Sequence, residues 1–238
     1  MPEIDMGPVA GGSERLRGYL SVPAGAGPWP GVIVIHELLG LNDVVRRQAD
    51  RLAAAGYLAL APDLFSDGGA ARCLVGTFRA LFAGRGKPVA DIDAARAYLE
   101  SHEHCTGRVG VIGFCMGGGF ALVTANRGFA AASVNYGQLP RQRQEALAGS
   151  CPIVASYGGR DPALRGAANK LTRTLHELAI EHDVKEYPRA GHSFLNDRYF
   201  GPAPAHPLQR ILSVGPEPAA AVDAWQRIEE FFARHLIG

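Results

Sequence analysis

Cysteine is scarce, and its spacing excludes two uses at once. The chain of 238 residues holds four cysteines, at positions 73, 105, 115 and 151. They are too far apart and too irregular for a disulfide framework or a zinc motif. Three of them, Cys73, Cys105 and Cys151, read as buried, inert thiols. Long apolar runs are also missing. The strongest, such as 31–35, are far too short to span a bilayer, and the first twenty residues hold charges and glycines rather than a signal-peptide core. The expected location is the cytoplasm. Nor does either sign of charge dominate: 24 Lys and Arg stand against 23 Asp and Glu, a net charge of +1. That argues against a nucleic-acid or membrane-surface partner, although a local basic patch is not excluded.

What is present is ordinary globular composition, with 47% hydrophobic and 20% charged residues. A chain of this length can bury a large core as one domain, here taken as 1–238. There is no internal repeat and no long linker. A Gly-Pro-rich stretch at 23–30 reads as a turn. Strands are expected at 16–22, 31–36, 57–61, 108–113, 131–135, 153–157 and 184–187. Helices are expected at 43–55, 71–83, 89–101, 116–125, 166–182 and 218–236. Such alternation predicts an α/β fold with a mostly parallel, twisted sheet and helices on both faces. In these sheets ligands bind beyond the carboxyl ends of the strands, so functional residues should directly follow predicted strands.

Gly113-Phe114-Cys115-Met116-Gly117 does so. It matches the nucleophile elbow G-x-S-x-G with cysteine for serine. A sharp strand-to-helix turn exposes the nucleophile and crowds its neighbours, which glycines at minus two and plus two relieve. The helix N-terminus favours a thiolate and an oxyanion. A P-loop is excluded because Gly119 and Phe120 stand where Lys and Ser or Thr are needed, and the dinucleotide fingerprint fails at Leu122. The plain alternative is a close-packed turn with an inert thiol.

A nucleophilic cysteine needs a base, and the base an orienting acid. Asp161, in Gly158-Gly159-Arg160-Asp161-Pro162, follows the strand at 153–157. His192, in Gly191-His192-Ser193-Phe194, follows the strand at 184–187. The order Cys, Asp, His is that of the α/β-hydrolase triad. Alone, Asp161 is a common turn residue and His192 a common loop residue; together, each after a strand, they point to a site. His102-Glu103-His104-Cys105 suggests a metal cluster only at first sight. Adjacent side chains diverge and no fourth ligand is evident, so these histidines are read as solvent-exposed and no metal is expected. His176, His182, His206 and His235 carry no assignment.

These segments, together with Ile35-His36-Glu37-Leu38-Leu39-Gly40 and Ala61-Pro62-Asp63-Leu64, resemble the dienelactone hydrolase family over roughly residues 15–236. The resemblance implies a single-domain α/β-hydrolase fold without a large lid, and hydrolysis of small esters or lactones through an acyl-enzyme. It implies a catalytic role for Glu37 in activating Cys115, with an oxyanion hole from the amides of Leu38 and Met116. Ser193, Asn196, Tyr136, Arg72 and Arg79 are the residues expected to bind substrate. Asn196 departs from the pattern: dienelactone-specific members carry an arginine four residues after the catalytic histidine. Arg72, Arg79 or Arg198 are the alternatives for an anionic substrate. No cofactor is expected, and the protein is read as a monomer or small homo-oligomer. The competing functions are a non-catalytic ligand-binding protein on the same fold, and a peptidase or thioesterase. The complete triad argues against the first, and the lack of a long lid or peptide-binding segment against the second.

Overall fold

Short apolar runs alternating with amphipathic stretches become eight strands and eight helices among the residues described by the computed structural model, 3–200 and 203–238. In chain order these are β1 (Glu3–Gly7), β2 (Leu16–Ser21), β3 (Trp29–Ile35), α1 (Asp43–Ala54), β4 (Leu58–Pro62), α2 (Gly69–Ala83), α3 (Lys87–Glu100), β5 (Cys105–Phe114), α4 (Met116–Thr124), β6 (Ala132–Asn135), α5 (Arg143–Leu147), β7 (Ile153–Gly158), α6 (Ala167–Glu177), β8 (His182–Tyr187), α7 (His206–Ile211) and α8 (Pro218–Phe232).

The strands form one sheet in the order β1-β2-β4-β3-β5-β6-β7-β8. The pairs β1/β2 and β2/β4 are antiparallel, and the rest are parallel. Strands β4, β6 and β7 are buried along their whole length. That is the mark of a sheet covered on both faces, which is why they read as continuous apolar runs rather than alternating ones. From β3 the chain moves outward to β4, then returns to add β5 on the other side of β3. The carboxyl ends of β3 and β5 therefore flank the topological switch point, where an open parallel sheet leaves a crevice.

Helix α1 shows how local chemistry sets an element. The side chain of Asn42 accepts hydrogen bonds from Val44 and Val45 N–H, at 2.9 and 3.2 Å, satisfying two orphan amides of the first turn. Val45, Ala49 and Leu52 bury one face, and Gln48 shares it.

Several expectations need correction. β1 was not anticipated: it is a short, polar edge strand whose conformation comes from pairing with β2. The helix expected over 166–182 ends at Glu177. Ala179 takes a positive φ of 53°, and the carbonyl of Glu181 accepts from Ile153 N–H, drawing the chain into β8. Trp29 and Pro30 belong to β3 rather than to a turn. α5 and α7 were also missed, both being short helices of five and six residues. Cys73, Cys105 and Cys151 are free and half-buried rather than fully enclosed. Burial pushes Cys151 up to about 12 and raises Cys73 and Cys105 as well. Among the described residues no helix is long and apolar enough to cross a membrane.

Candidate active site

The centre of the site is the turn between β5 and α4. Cys115 sits there with φ 55° and ψ −117°, a conformation costly for a residue with a side chain. The surroundings enforce it. Its N–H donates to the carbonyl of Asn135 at 3.0 Å, tying the turn to β6. A Cβ on Gly113 would lie 1.9 Å from the carbonyl oxygen of Gly117, and one on Gly117 would lie 2.2 Å from that of Ile35. Strand, turn and helix thus approach at distances only glycine permits, and the thiol is left half-exposed.

Asp161 follows β7. Its Oδ1 accepts from Ala163 N–H at 3.0 Å, capping a short 3-10 turn. That leaves Oδ2 for His192 Nδ1, 2.5 Å away. Nδ1 carries the proton in this pair, because an ionised carboxylate only accepts. His192 follows β8 and is clamped through its backbone: its N–H donates to Ser213 O at 2.7 Å and its carbonyl accepts from Gly215 N–H at 2.8 Å. Burial disfavours the charged ring, but Asp161 and the neighbouring Cys115 outweigh it and raise His192 to about 10. The ring packs against Tyr136 at a centroid distance of 5.2 Å.

Glu37 follows β3 and is 4% exposed. Ser193 Oγ donates to its Oε1 at 3.1 Å, and Asn196 Nδ2 to its Oε2 at 3.2 Å. Burial pushes the carboxyl above the usual range; Asn196, His192 and Ser193 pull it back. The buried Tyr136 hydroxyl, adjacent but without a well-formed hydrogen bond, contributes least to that pull. Tyr136 is in turn raised well above the usual phenol range, first by burial and then by Glu37 and Cys115.

The loop after β3 also carries Leu38, which is 37% exposed. His36 holds this loop. Its Nε2 accepts from Leu64 N–H at 3.1 Å, so Nδ1 bears the proton and donates to Glu37 O at 2.7 Å. Burial lowers the pKa of His36, keeping the ring neutral in this role. Met116 is the first residue of α4, where amides lack partners within the helix.

The fold therefore gathers Cys115, Asp161, His192, Glu37, Ser193, Asn196 and Tyr136 at the carboxyl ends of five strands. Two of the residues expected to contact substrate hold Glu37. The amide of Asn196, which is 2% exposed, is hydrogen-bonded to Glu37 and Gln48. Ser193 Oγ is likewise directed at Glu37. Arg72 and Arg79 lie exposed on α2, with no ion pair to a site residue among those described. His104 is exposed and His102 half-buried, and no group of three or more potential metal-binding side chains occurs among the described residues.

Three features escaped the sequence reading. Gln48 meets Asn196 from α1; its one visible signal is a polar residue on an apolar stripe. His36 was noticed only as part of a motif. The backbone clamp at 213–215 has no sequence signal, because it uses main-chain groups.

The model of the dienelactone hydrolase family matches residues 16–236. A Saccharolobus solfataricus protein provisionally named a carboxymethylenebutenolidase is 27% identical, with 92% of this chain and 94% of that protein covered. A Bradyrhizobium protein provisionally named a 2-oxo-3-(5-oxofuran-2-ylidene)propanoate lactonase is 29% identical, covering 100% of this chain and 96% of that one. Among solved structures, a provisionally named dienelactone hydrolase from Klebsiella pneumoniae superposes with a TM-score of 0.79 at 25% identity, covering 98% of both chains.

Proposed function

The chain belongs to the dienelactone hydrolase family, and from that membership we propose that it cleaves small carboxylic esters or lactones with Cys115 as nucleophile, His192 as proton carrier and Asp161 as its orienting acid. The observation that carries this reading is the 2.5 Å contact between Asp161 and His192 beside a cysteine held at φ 55° on a strand-to-helix turn.

In the proposed reaction Cys115 Sγ attacks the carbonyl carbon, and the carbonyl electron pair moves to oxygen. The amides of Leu38 and Met116 receive that oxyanion, a contribution that stabilises the transition state more than the ground state. Collapse breaks the ester C–O bond. The imidazolium of His192 gives its proton to the departing oxygen, and an acyl-thioester remains on Cys115. His192, now neutral, takes a proton from water, whose oxygen attacks the thioester. The second collapse returns the thiolate and releases the acid. Glu37 is assigned to activation of the thiol. The chemistry calls for no cofactor or metal.

The test is turnover of 4-nitrophenyl acetate together with mass spectrometry of the quenched enzyme. An acetyl adduct on Cys115 is expected, and Cys115→Ala should lower turnover at least about 10³-fold with folding retained. An active Cys115→Ala enzyme overturns the reading.

A further inference from the structure

Gln48 belongs to no motif, yet it is 6% exposed and touches the site indirectly. Its Nε2 donates to Asn196 Oδ1 at 3.2 Å, and Asn196 Nδ2 donates onward to Glu37 Oε2 at 3.2 Å. A primary amide has two unlike faces, one donating and one accepting. Which face of Asn196 meets Glu37 therefore depends on which face meets Gln48. With the Gln48 N–H on the Asn196 carbonyl, Asn196 must offer N–H to Glu37, and that favours an ionised carboxylate. If both amides turn over together, Asn196 offers its carbonyl instead. Glu37 satisfies that carbonyl only as a protonated carboxyl, which can donate.

The reversed arrangement pairs every group along the line from Gln48 to Glu37. Gln48 Oε1, buried without a partner in the structure, would then accept from Asn196 Nδ2, and Gln48 Nε2 would become the unpaired group in its place. Gln48 and Asn196 both line a cavity of about 440 Å³ between α1 and α8.

From this geometry we infer that Gln48 is a positioning residue that, by locking the orientation of the Asn196 amide, sets whether Glu37 is held as carboxylate or carboxylic acid. The equilibrium is simple: Glu37 takes one proton from solvent as the two amides reverse, and releases it as they return. The charged and titratable groups around this chain are few. Cys115, His192, Tyr136 and the adjacent His36, whose pKa burial lowers, lie around Glu37. Near Gln48, Arg47 pairs with Asp197 at 2.7 Å and Arg51 with Glu229 at 2.9 Å, so each cation there has its own counter-charge.

The inference rests on the proposed role of Glu37, and its test separates the two. The acid limb of kcat/KM for 4-nitrophenyl acetate is measured for wild type, Gln48→Leu and Gln48→Glu. Leucine removes the lock. Ionised glutamate can only accept, and so imposes the reversed orientation. The acid limb should move up by roughly one pH unit in Gln48→Leu, and further in Gln48→Glu, with the plateau rate retained. In parallel, the infrared band of a protonated carboxyl, assigned by its loss in Glu37→Gln, reads the titration of Glu37 without any turnover. Its midpoint should shift with the limb. If the band shifts and the limb does not, the role of Glu37 in acylation fails while the Gln48 inference stands. If the band midpoint is unchanged in a folded Gln48→Glu protein, the inference is overturned. If Gln48→Leu does not fold, Gln48→Met, uncharged and closer in shape to glutamine, takes its place, because the added charge of Gln48→Glu would by itself raise Glu37.

Discussion

His192 Nδ1 and Asp161 Oδ2 stand 2.5 Å apart, although their α-carbons come from loops after different strands, β8 and β7. The short contact is possible because Asp161 is 2% exposed and its other oxygen is already held by Ala163 N–H. The carboxylate cannot rotate away, and the imidazole acquires one tautomer and one orientation.

Stability should therefore depend on the proton on His192. Its folded-state pKa, about 10, lies above the ordinary value of 6.5. The contribution is fully present below the unfolded value and is lost as pH rises through about 10. Asp161→Asn removes the charge that holds this proton. In urea titrations the gap between wild type and Asp161→Asn should be wide near about pH 6 and should narrow above about pH 10. A gap independent of pH would show that the pair acts by shape alone.

Glu37→Gln should slow acylation more than it weakens the fold. The new side chain is close in shape, and Ser193 Oγ can still donate to its carbonyl. Its amide, however, meets the Asn196 amide donor to donor. A loss of about 10²-fold in the acylation rate is expected in stopped-flow measurements, with a shift of only a few degrees in Tm. Wild-type acylation in this variant would return Glu37 to a structural role.

The glycines of the elbow should be intolerant where one on an open helix face is not. Gly117→Ala sets a methyl group 2.2 Å from the carbonyl oxygen of Ile35, backbone that cannot swing aside. A loss of about 3 kcal/mol or more is expected by chemical denaturation. Gly76 lies inside α2 with nothing within 4 Å of a Cβ. Gly76→Ala should stabilise the protein by about 0.5–1 kcal/mol, because alanine loses less backbone freedom on entering a helix.

Substrate charge should matter in the opposite sense from an arginine-bearing site. Asn196 is neutral, buried and committed to Glu37 and Gln48, and Arg72 and Arg79 point their charges toward solvent. A methyl ester should therefore exceed its free carboxylate in kcat/KM, because no charge-assisted pair offsets the cost of desolvating the carboxylate. A preference for the free carboxylate would locate a cation on the substrate path.

Much of this was present in the order of residues. The spacing of Gly113, Cys115 and Gly117 announces an elbow because only glycine allows that approach of backbones, whatever the rest of the chain does. The strand-then-motif order foretold that Cys115, Asp161 and His192 would share one edge of the sheet, since parallel strands bring their carboxyl ends together. Local chemistry also marked α1, through Asn42. Distances of 78 to 159 residues along the chain were another matter. That Asp91 holds Ser13, or that Asn196 bonds both Glu37 and Gln48, is decided by packing. Asn196 is a short polar residue in a loop, equally suited by its chemistry to solvent, substrate or a buried partner. Only the packing of α1 and the loop after β8 against the end of β3 sets it beside Glu37, a buried carboxyl that water cannot reach to supply donors.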